Sequence, residues 1–295
     1  MKGLWKAMLA IGAVAVGLAS AARALPGIER DLAYGPGPEQ RLDLTVPTGH
    51  GFATVIFVHG GSLTTGDKAD SDYGNVCAPF PAAGIACANV NYRLAPASKW
   101  PAQPEDVAAA TAWVRKNIAS RGGDPTKLFL FGHSSGAMLV AAVGSDERYL
   151  AQQGMRLSEV RGVIPMGSIM WDLGLEQEMA GRSRAEMEKA FARDSDSQIF
   201  GDLETYLNHW PMRHVRAGMP AFLFLIAEAE TEHPPVLETD KKFVEEARKL
   251  GNSAEYRVMP GRTHYSAIRK FSEAGDPVFQ MVQEFVEGEP VGNHR

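Results

Sequence analysis

Leu128-Phe-Leu-Phe-Gly-His-Ser-Ser-Gly-Ala-Met-Leu-Val-Ala-Ala142 passes from an apolar run through a glycine-flanked turn into small and apolar residues. It reads as strand, sharp turn and helix, with Ser134 at the apex. A serine there must adopt a strained backbone, and Gly132 and Gly136 keep Cβ atoms out of the way. The turn lifts the hydroxyl above the sheet, and the N–H groups that open the helix face any negative charge developing beside it. The pentapeptide alone is a weak signal, since a serine before a helix is also an ordinary N-cap. Its context carries the reading. His59-Gly60-Gly61-Ser62 follows the earlier strand Thr54–Val58, and Pro260-Gly-Arg-Thr-His264 follows the last strand.

Working outward, eight strand-like runs can be read. Glu29–Tyr34 and Arg41–Val46 suggest an antiparallel pair joined by Gly35-Pro-Gly-Pro38. Thr54–Val58, Ile85–Asn91, Lys127–Phe131, Gly162–Met166, Ala221–Ala227 and Glu255–Met259 are mostly continuous apolar runs, as in a parallel sheet covered on both faces. Helical spacing appears over 103–120 (Val107, Ala110, Val114, Ile118), over 237–250 (Phe243, Ala247, Leu250, with Gly251 as a stop) and over 278–286 (Val282, Phe285, Val286). This alternation predicts a doubly wound α/β sheet with its ligand site at the carboxyl ends of the strands. Residues about 171–215 break the alternation. Ser183-Arg-Ala-Glu186 reads there as a capping box opening a helix with Met187, Ala190 and Phe191 as its apolar face. Such an insertion at the catalytic edge is expected to wall the substrate pocket.

The net charge of −5, with no basic stripe, argues against nucleic acid or an anionic membrane as partner. Residues 1–24 differ from the rest: Lys2 and Lys6 border an uncharged stretch from Ala7 to Leu18, and small residues at 19–24 offer cleavage points. They read as a secretory signal peptide, too short for a comfortable membrane span, with 25–295 as a single exported domain, periplasmic or secreted. Export permits a disulfide between Cys77 and Cys87, the two cysteines of the chain. The first is expected in a helix and the second in a strand, and two buried free thiols are the slightly favoured expectation.

Ser134 needs a base, and His264 is the candidate. His50 lies in a turn, His209 and His214 in the insertion and His294 in the tail; His59 is expected to shape its glycine turn and His133 to be the variable residue of the elbow. A histidine in this role wants a carboxylate on its other nitrogen. After Phe222–Ala227 comes Glu228-Ala-Glu-Thr-Glu232, with Glu230 the first choice, Glu232 the second, and Asp240 or Asp172 behind them. N–H donors for a developing oxyanion are expected from Gly61, Ser62 and Ser135.

With these residues in view, the chain resembles the α/β-hydrolase carboxylesterases, nearest the BD-FAE-like esterases and kynurenine formamidases and related to the hormone-sensitive-lipase family. The matching stretches are Tyr34-Gly-Pro-Gly-Pro-Glu-Gln-Arg-Leu-Asp-Leu44, His59-Gly-Gly61, Gly66-Asp-Lys68, Asn91-Tyr-Arg-Leu-Ala-Pro96, Gly132-His-Ser-Ser-Gly136 and Gly261-Arg-Thr-His264. The resemblance implies an eight-stranded, mostly parallel sheet flanked by helices, with a short helical insertion near the active site. It implies Ser134 as nucleophile, His264 as base and Gly61, Ser62 and Ser135 as oxyanion hole. Two positions depart from the family pattern. Ala227-Glu-Ala-Glu230 stands where a Gly-x-x-Asp turn is usual, and Leu63 and Thr64 replace an aromatic residue after the glycine turn. The expected activity is hydrolysis of small carboxylic esters through a Ser-His-Glu triad and an acyl-enzyme, without metal or cofactor. The alternatives are a formamide or amide hydrolase using the same groups, or a catalytically silent binding protein on this fold.

Overall fold

The computed structural model describes residues 27–168, 170, 181–231 and 234–288. The signal-peptide reading of residues 1–24, Asp172, Glu232 and His294 therefore lie outside the described residues. The sheet has eight strands in the order β1-β2-β4-β3-β5-β6-β7-β8. They are β1 (Gly27–Ala33), β2 (Arg41–Val46), β3 (Phe52–Val58), β4 (Ala86–Val90), β5 (Gly123–His133), β6 (Gly162–Met166), β7 (Ala221–Ala227) and β8 (Ala254–Met259). β1–β2 and β2–β4 are antiparallel, and the other neighbouring pairs are parallel. The pleat divides each continuous apolar run between two cores. Val55, Phe57, Phe129, Phe131, Leu223 and Leu225 face one, and Ile56, Val58, Leu128, Leu130, Phe222 and Phe224 the other.

The helices in chain order are α1 (Ala102–Asn117), α2 (Ser135–Ser145), α3 (Glu147–Gln152), α4 (Arg184–Phe191), α5 (Asp196–Phe200), α6 (Leu203–Asn208), α7 (Pro234–Lys249), α8 (His264–Arg269) and α9 (Pro277–Glu287). Helices α1, α2 and α7 cover the Ile56 face, and α8 and α9 cover the Val55 face. Among the described residues, no helix is long and apolar enough to cross a membrane. The expected helix faces hold for α1, whereas Leu250 is 45% exposed because it lies beyond the last turn of α7. In α4 the Ser183–Glu186 capping box is present, but the buried face is Met187 and Phe191 while Ala190 is exposed.

β5 runs further than its apolar core because it is hydrogen-bonded on both sides. Its ladder with β6 continues through Gly132↔Pro165 and His133↔Met166, so the elbow starts inside the sheet. The expectation of free thiols is corrected: Cys77 and Cys87 form a disulfide with Cα atoms 5.4 Å apart, a separation a bridge spans without distortion of the chain. Cys77 lies in a series of turns rather than a helix, and that irregular path lets it approach β4, where Cys87 sits.

Two buried contacts set the loops above the sheet. Asp106 on α1, 1% exposed, accepts from the Arg93 guanidinium at 2.6 and 2.8 Å, from the Arg93 N–H and from Gln40 Nε2 at 2.7 Å. The described part of the insertion is held around Trp100. Its main-chain N–H donates to the Ile199 carbonyl at 2.8 Å, and its ring meets Phe200 at 5.6 Å and His209 at 5.4 Å.

Candidate active site

At the end of β5, Ser134 has φ 55° and ψ −127°, a left-handed backbone that costs a non-glycine residue about 1–3 kcal/mol. The surroundings impose it. The Ser134 N–H donates to the Met166 carbonyl at 2.9 Å, and α2 starts hard against β3, where a Cβ on Gly136 would stand 2.2 Å from the Val58 carbonyl oxygen. Only glycine permits that approach, so the expected role of the elbow glycines holds.

β7 ends in a 3-10 turn over Glu228–Glu230. The Ala227 N–H donates to Glu230 Oε2 at 2.9 Å, and Glu230 Oε1 lies 2.6 Å from His264 Nδ1. An ionised carboxylate only accepts, so Nδ1 carries the proton and Nε2 is the nitrogen free to act as a base. His264 is the first residue of α8, capped by Thr263, whose hydroxyl accepts the Ser266 N–H at 3.2 Å. The acid turn and the histidine turn are fastened together: the Gly261 N–H donates to Glu228 Oε2 at 2.8 Å and the Ala229 N–H to the Arg262 carbonyl at 3.1 Å. Gly167, next to the Met166 that anchors Ser134, has φ 66°; a Cβ there would lie 3.0 Å from Glu230 Oε1 and 3.1 Å from His264 Nδ1. The end of β6 thus links the elbow to the Glu230–His264 pair.

Asp240 is buried on α7 at 1% exposure, and its Oδ1 has no partner among the described residues. Burial, reinforced by the nearby Glu230 charge, raises its carboxyl well above the usual carboxylate range. The carboxylate bonded to His264 Nδ1 is that of Glu230, not Asp240.

The glycine turn lies close over Ser134: a Cβ on Gly60 would be 2.8 Å from the Ser134 Cβ. Gly61, Ser62 and Leu63 have φ of 124°, 53° and 63°, a coil fixed by Thr64 and Thr65 N–H bonds to the Gly61 carbonyl at 3.1 and 3.0 Å. The Leu63 N–H is occupied by Ser135 Oγ at 3.4 Å. The N–H groups of Gly61, Ser62 and Ser135 have no acceptor among the described residues. Leu63, in the place of the family's aromatic residue, is 2% exposed in the core rather than on a pocket wall.

His59 is fully buried, donates from Nδ1 to the Gly60 carbonyl at 2.7 Å and stacks on Tyr92 at 4.5 Å, so it shapes its turn as expected. Burial lowers its pKa below the ordinary histidine value. His50 is exposed, and His209 and His214 bond to the backbone of the insertion. One relationship leaves no local signal in the chain. His133 Nε2 contacts the His264 carbonyl at 2.9 Å, and its Nδ1 contacts Tyr73 Oη at 3.2 Å. Among the described residues, no three His, Cys, Asp or Glu side chains converge as metal ligands.

Residues 55–268 match a family described as alpha/beta hydrolase fold. The chain belongs to the α/β-hydrolase family. Its relatives include the esterase LipC of Mycobacterium tuberculosis, 30% identical over 80% of this chain and 59% of LipC. The probable carboxylic ester hydrolase LipM of the same organism is 27% identical over 76% of this chain and 50% of its own. This α/β-hydrolase chain thus spans between half and three-fifths of these relatives. Among solved structures, a truncated carbohydrate esterase from gut microbiota superposes with a TM-score of 0.70 at 18% identity, covering 90% of this chain and 97% of its own. The butyrate-bound esterase Est2 of Thermogutta terrifontis gives 0.66 at 23% identity, covering 89% and 93%. At these identities the structural matches establish the shared α/β-hydrolase fold.

Proposed function

We propose that this α/β-hydrolase cleaves small carboxylic esters through an acyl-enzyme formed on Ser134. The 2.6 Å bond from His264 Nδ1 to Glu230, which leaves Nε2 as the free basic nitrogen, carries the reading. In this mechanism Nε2 takes the Ser134 proton as Oγ attacks the ester carbonyl. The oxyanion is met by the N–H groups of Gly61, Ser62 and Ser135, each worth roughly 3–4 kcal/mol by analogy with other oxyanion holes. His264 then hands the proton to the departing alcohol, and a water activated at the same nitrogen releases the acid. Glu230 fixes the tautomer and supports the imidazolium throughout. The relatives named above are esterases, which favours an ester over a formamide substrate. We also propose export, a reading supported by the Cys77–Cys87 bridge, since such bonds persist in oxidising compartments. The described insertion helices are proposed to support a wall of the substrate pocket.

A fluorophosphonate is expected to label Ser134 alone, and Ser134→Ala to abolish turnover of p-nitrophenyl esters. Labelling at another serine, or turnover by the alanine variant, would overturn the assignment. N-formylkynurenine in the same substrate panel tests the formamide alternative.

A further inference from the structure

The segment from Asp67 to Pro79 crosses the Val55 face of the sheet and meets α8. Tyr73, 9% exposed, lies in its middle, and its carbonyl accepts from Asn89 Nδ2 on β4 at 3.0 Å. Four residues later the Cys77–Cys87 bridge ties the segment to the same strand. One residue earlier, Asp72 receives two bonds from the Arg269 guanidinium, at 2.7 and 3.0 Å, from the end of α8. Tyr73 is therefore fixed in its main chain by β4 and beside α8 by an ion pair.

Its hydroxyl reaches into the site. A carbonyl only accepts, so the contact from His133 to the His264 carbonyl requires the proton on His133 Nε2. His133 Nδ1 is then an acceptor, and Tyr73 Oη is its donor. The His133 ring lies 4.6 Å from the His264 ring, centroid to centroid, and is 1% exposed. Burial, with the adjacent His264 second, lowers the His133 pKa to about 4, so at neutral pH the ring keeps the single-proton form this chain of bonds needs.

We propose that Tyr73 and His133 are positioning residues: a buried hydroxyl-to-imidazole-to-carbonyl chain that fixes the His264 main chain against the elbow. It rests on the reading of Ser134 and His264 as nucleophile and base. Glu230 sets the orientation of the His264 ring at Nδ1, while Tyr73 and His133 set where its backbone stands. His133 immediately precedes Ser134, so one residue holds base and nucleophile in mutual register. A displacement well under an ångström at a proton-transferring group is enough to lower turnover while leaving substrate binding intact.

The test uses the full chain with kcat, KM, fluorophosphonate labelling and thermal midpoint measured together. Tyr73→Phe keeps the ring and removes the donor; kcat is expected to fall about tenfold with KM within about twofold. His133→Leu removes both bonds and is expected to lower kcat about 50-fold or more. His133→Gln places an amide N–H where Nε2 stood, and is expected to recover kcat to within about fivefold of the parent. Rescue by glutamine but not leucine, at similar thermal midpoints, is a pattern that simple packing does not produce. Parental kcat in Tyr73→Phe and His133→Leu, with Ser134 still labelled in the parent, overturns this inference alone. A parent in which Ser134 stays unlabelled overturns the hydrolase reading and the inference with it.

Discussion

At the scale of single residues, the assignment that most needs chemistry is the acid. Glu230 bonds His264 Nδ1, while Asp240 is buried and its carboxyl pKa is raised by that burial. Under the proposed mechanism, replacing the acid leaves the histidine mis-oriented and its cation unsupported, at a cost on the order of 10⁴ in turnover in known triads. Glu230→Gln is expected to show a loss approaching that while remaining folded. Glu232→Gln and Asp240→Asn are expected to stay within about tenfold of the parent, the latter because the bond to His264 Nδ1 comes from Glu230 and asparagine is nearly isosteric with Asp240. Steady-state kinetics on the three purified variants decides it, and a larger loss in Glu232→Gln would move the acid two residues along the loop. Ser134, His264 and the preference for Glu230 could be read from the chain, because each closely follows a strand end. The Tyr73–His133–His264 contacts could not, since they join residues 60 and 131 positions apart through ring nitrogens.

At the scale of elements, the molecule is held by a few fasteners between segments that sequence patterns cannot pair. The Cys77–Cys87 bridge closes a loop with a sequence separation of 10, worth about 3 kcal/mol if the effect is mainly loop entropy in the unfolded chain. The Cys77→Ser/Cys87→Ser variant is expected to lose about that much in urea denaturation; a loss below about 1 kcal/mol would mean that the turns hold without it. Asp106 is the corresponding fastener for α1. It is buried beneath Arg93 and Gln40, so Asp106→Ala leaves Gln40 Nε2 without its acceptor and the Arg93 guanidinium with only Glu105 at 3.9 Å and the Ala102 carbonyl, and a cost of about 2–3 kcal/mol is expected by the same measurement. Strand and helix types were legible because long apolar runs and helical spacing are local signals. The exposed Ala190 and Leu250 were misread because period alone does not say where a helix ends or which flank meets a neighbour.

For the whole molecule, buried histidines tie stability to pH. Burial lowers His133 to about 4 and His209 to about 3, whereas in an unfolded chain histidine titrates near 6.5. Above about pH 6.5 neither state binds the extra proton, and the stability is present in full. As pH falls from there toward 4, the unfolded chain takes up protons that the folded chain refuses, so stability is lost. Each group accounts for up to about 3 kcal/mol at pH 4, as an order of magnitude. Unfolding free energies from urea denaturation are expected to drop between pH 7 and pH 4.5, and the drop should shrink by about 2 kcal/mol in His209→Gln. An equal drop in parent and variant would mean that His209 takes its proton while folded.

The chain by itself determined the sheet class, the serine elbow, the glycine turn and the histidine after the last strand. Each rests on residues adjacent in sequence: a strand's apolar run, a turn's glycines, a capping box at Ser183 and Glu186. Tertiary structure decided what depends on distance across the chain. It closed Cys77 onto Cys87, buried Asp240 and so raised its carboxyl pKa, and withdrew Leu63 into the core. It also gave His264 two separate anchors, Glu230 at the ring and His133 at the main chain. Hydrogen bonds, burial and bridging are set by which surfaces meet when the sheet is covered, and local pattern carries no record of those meetings.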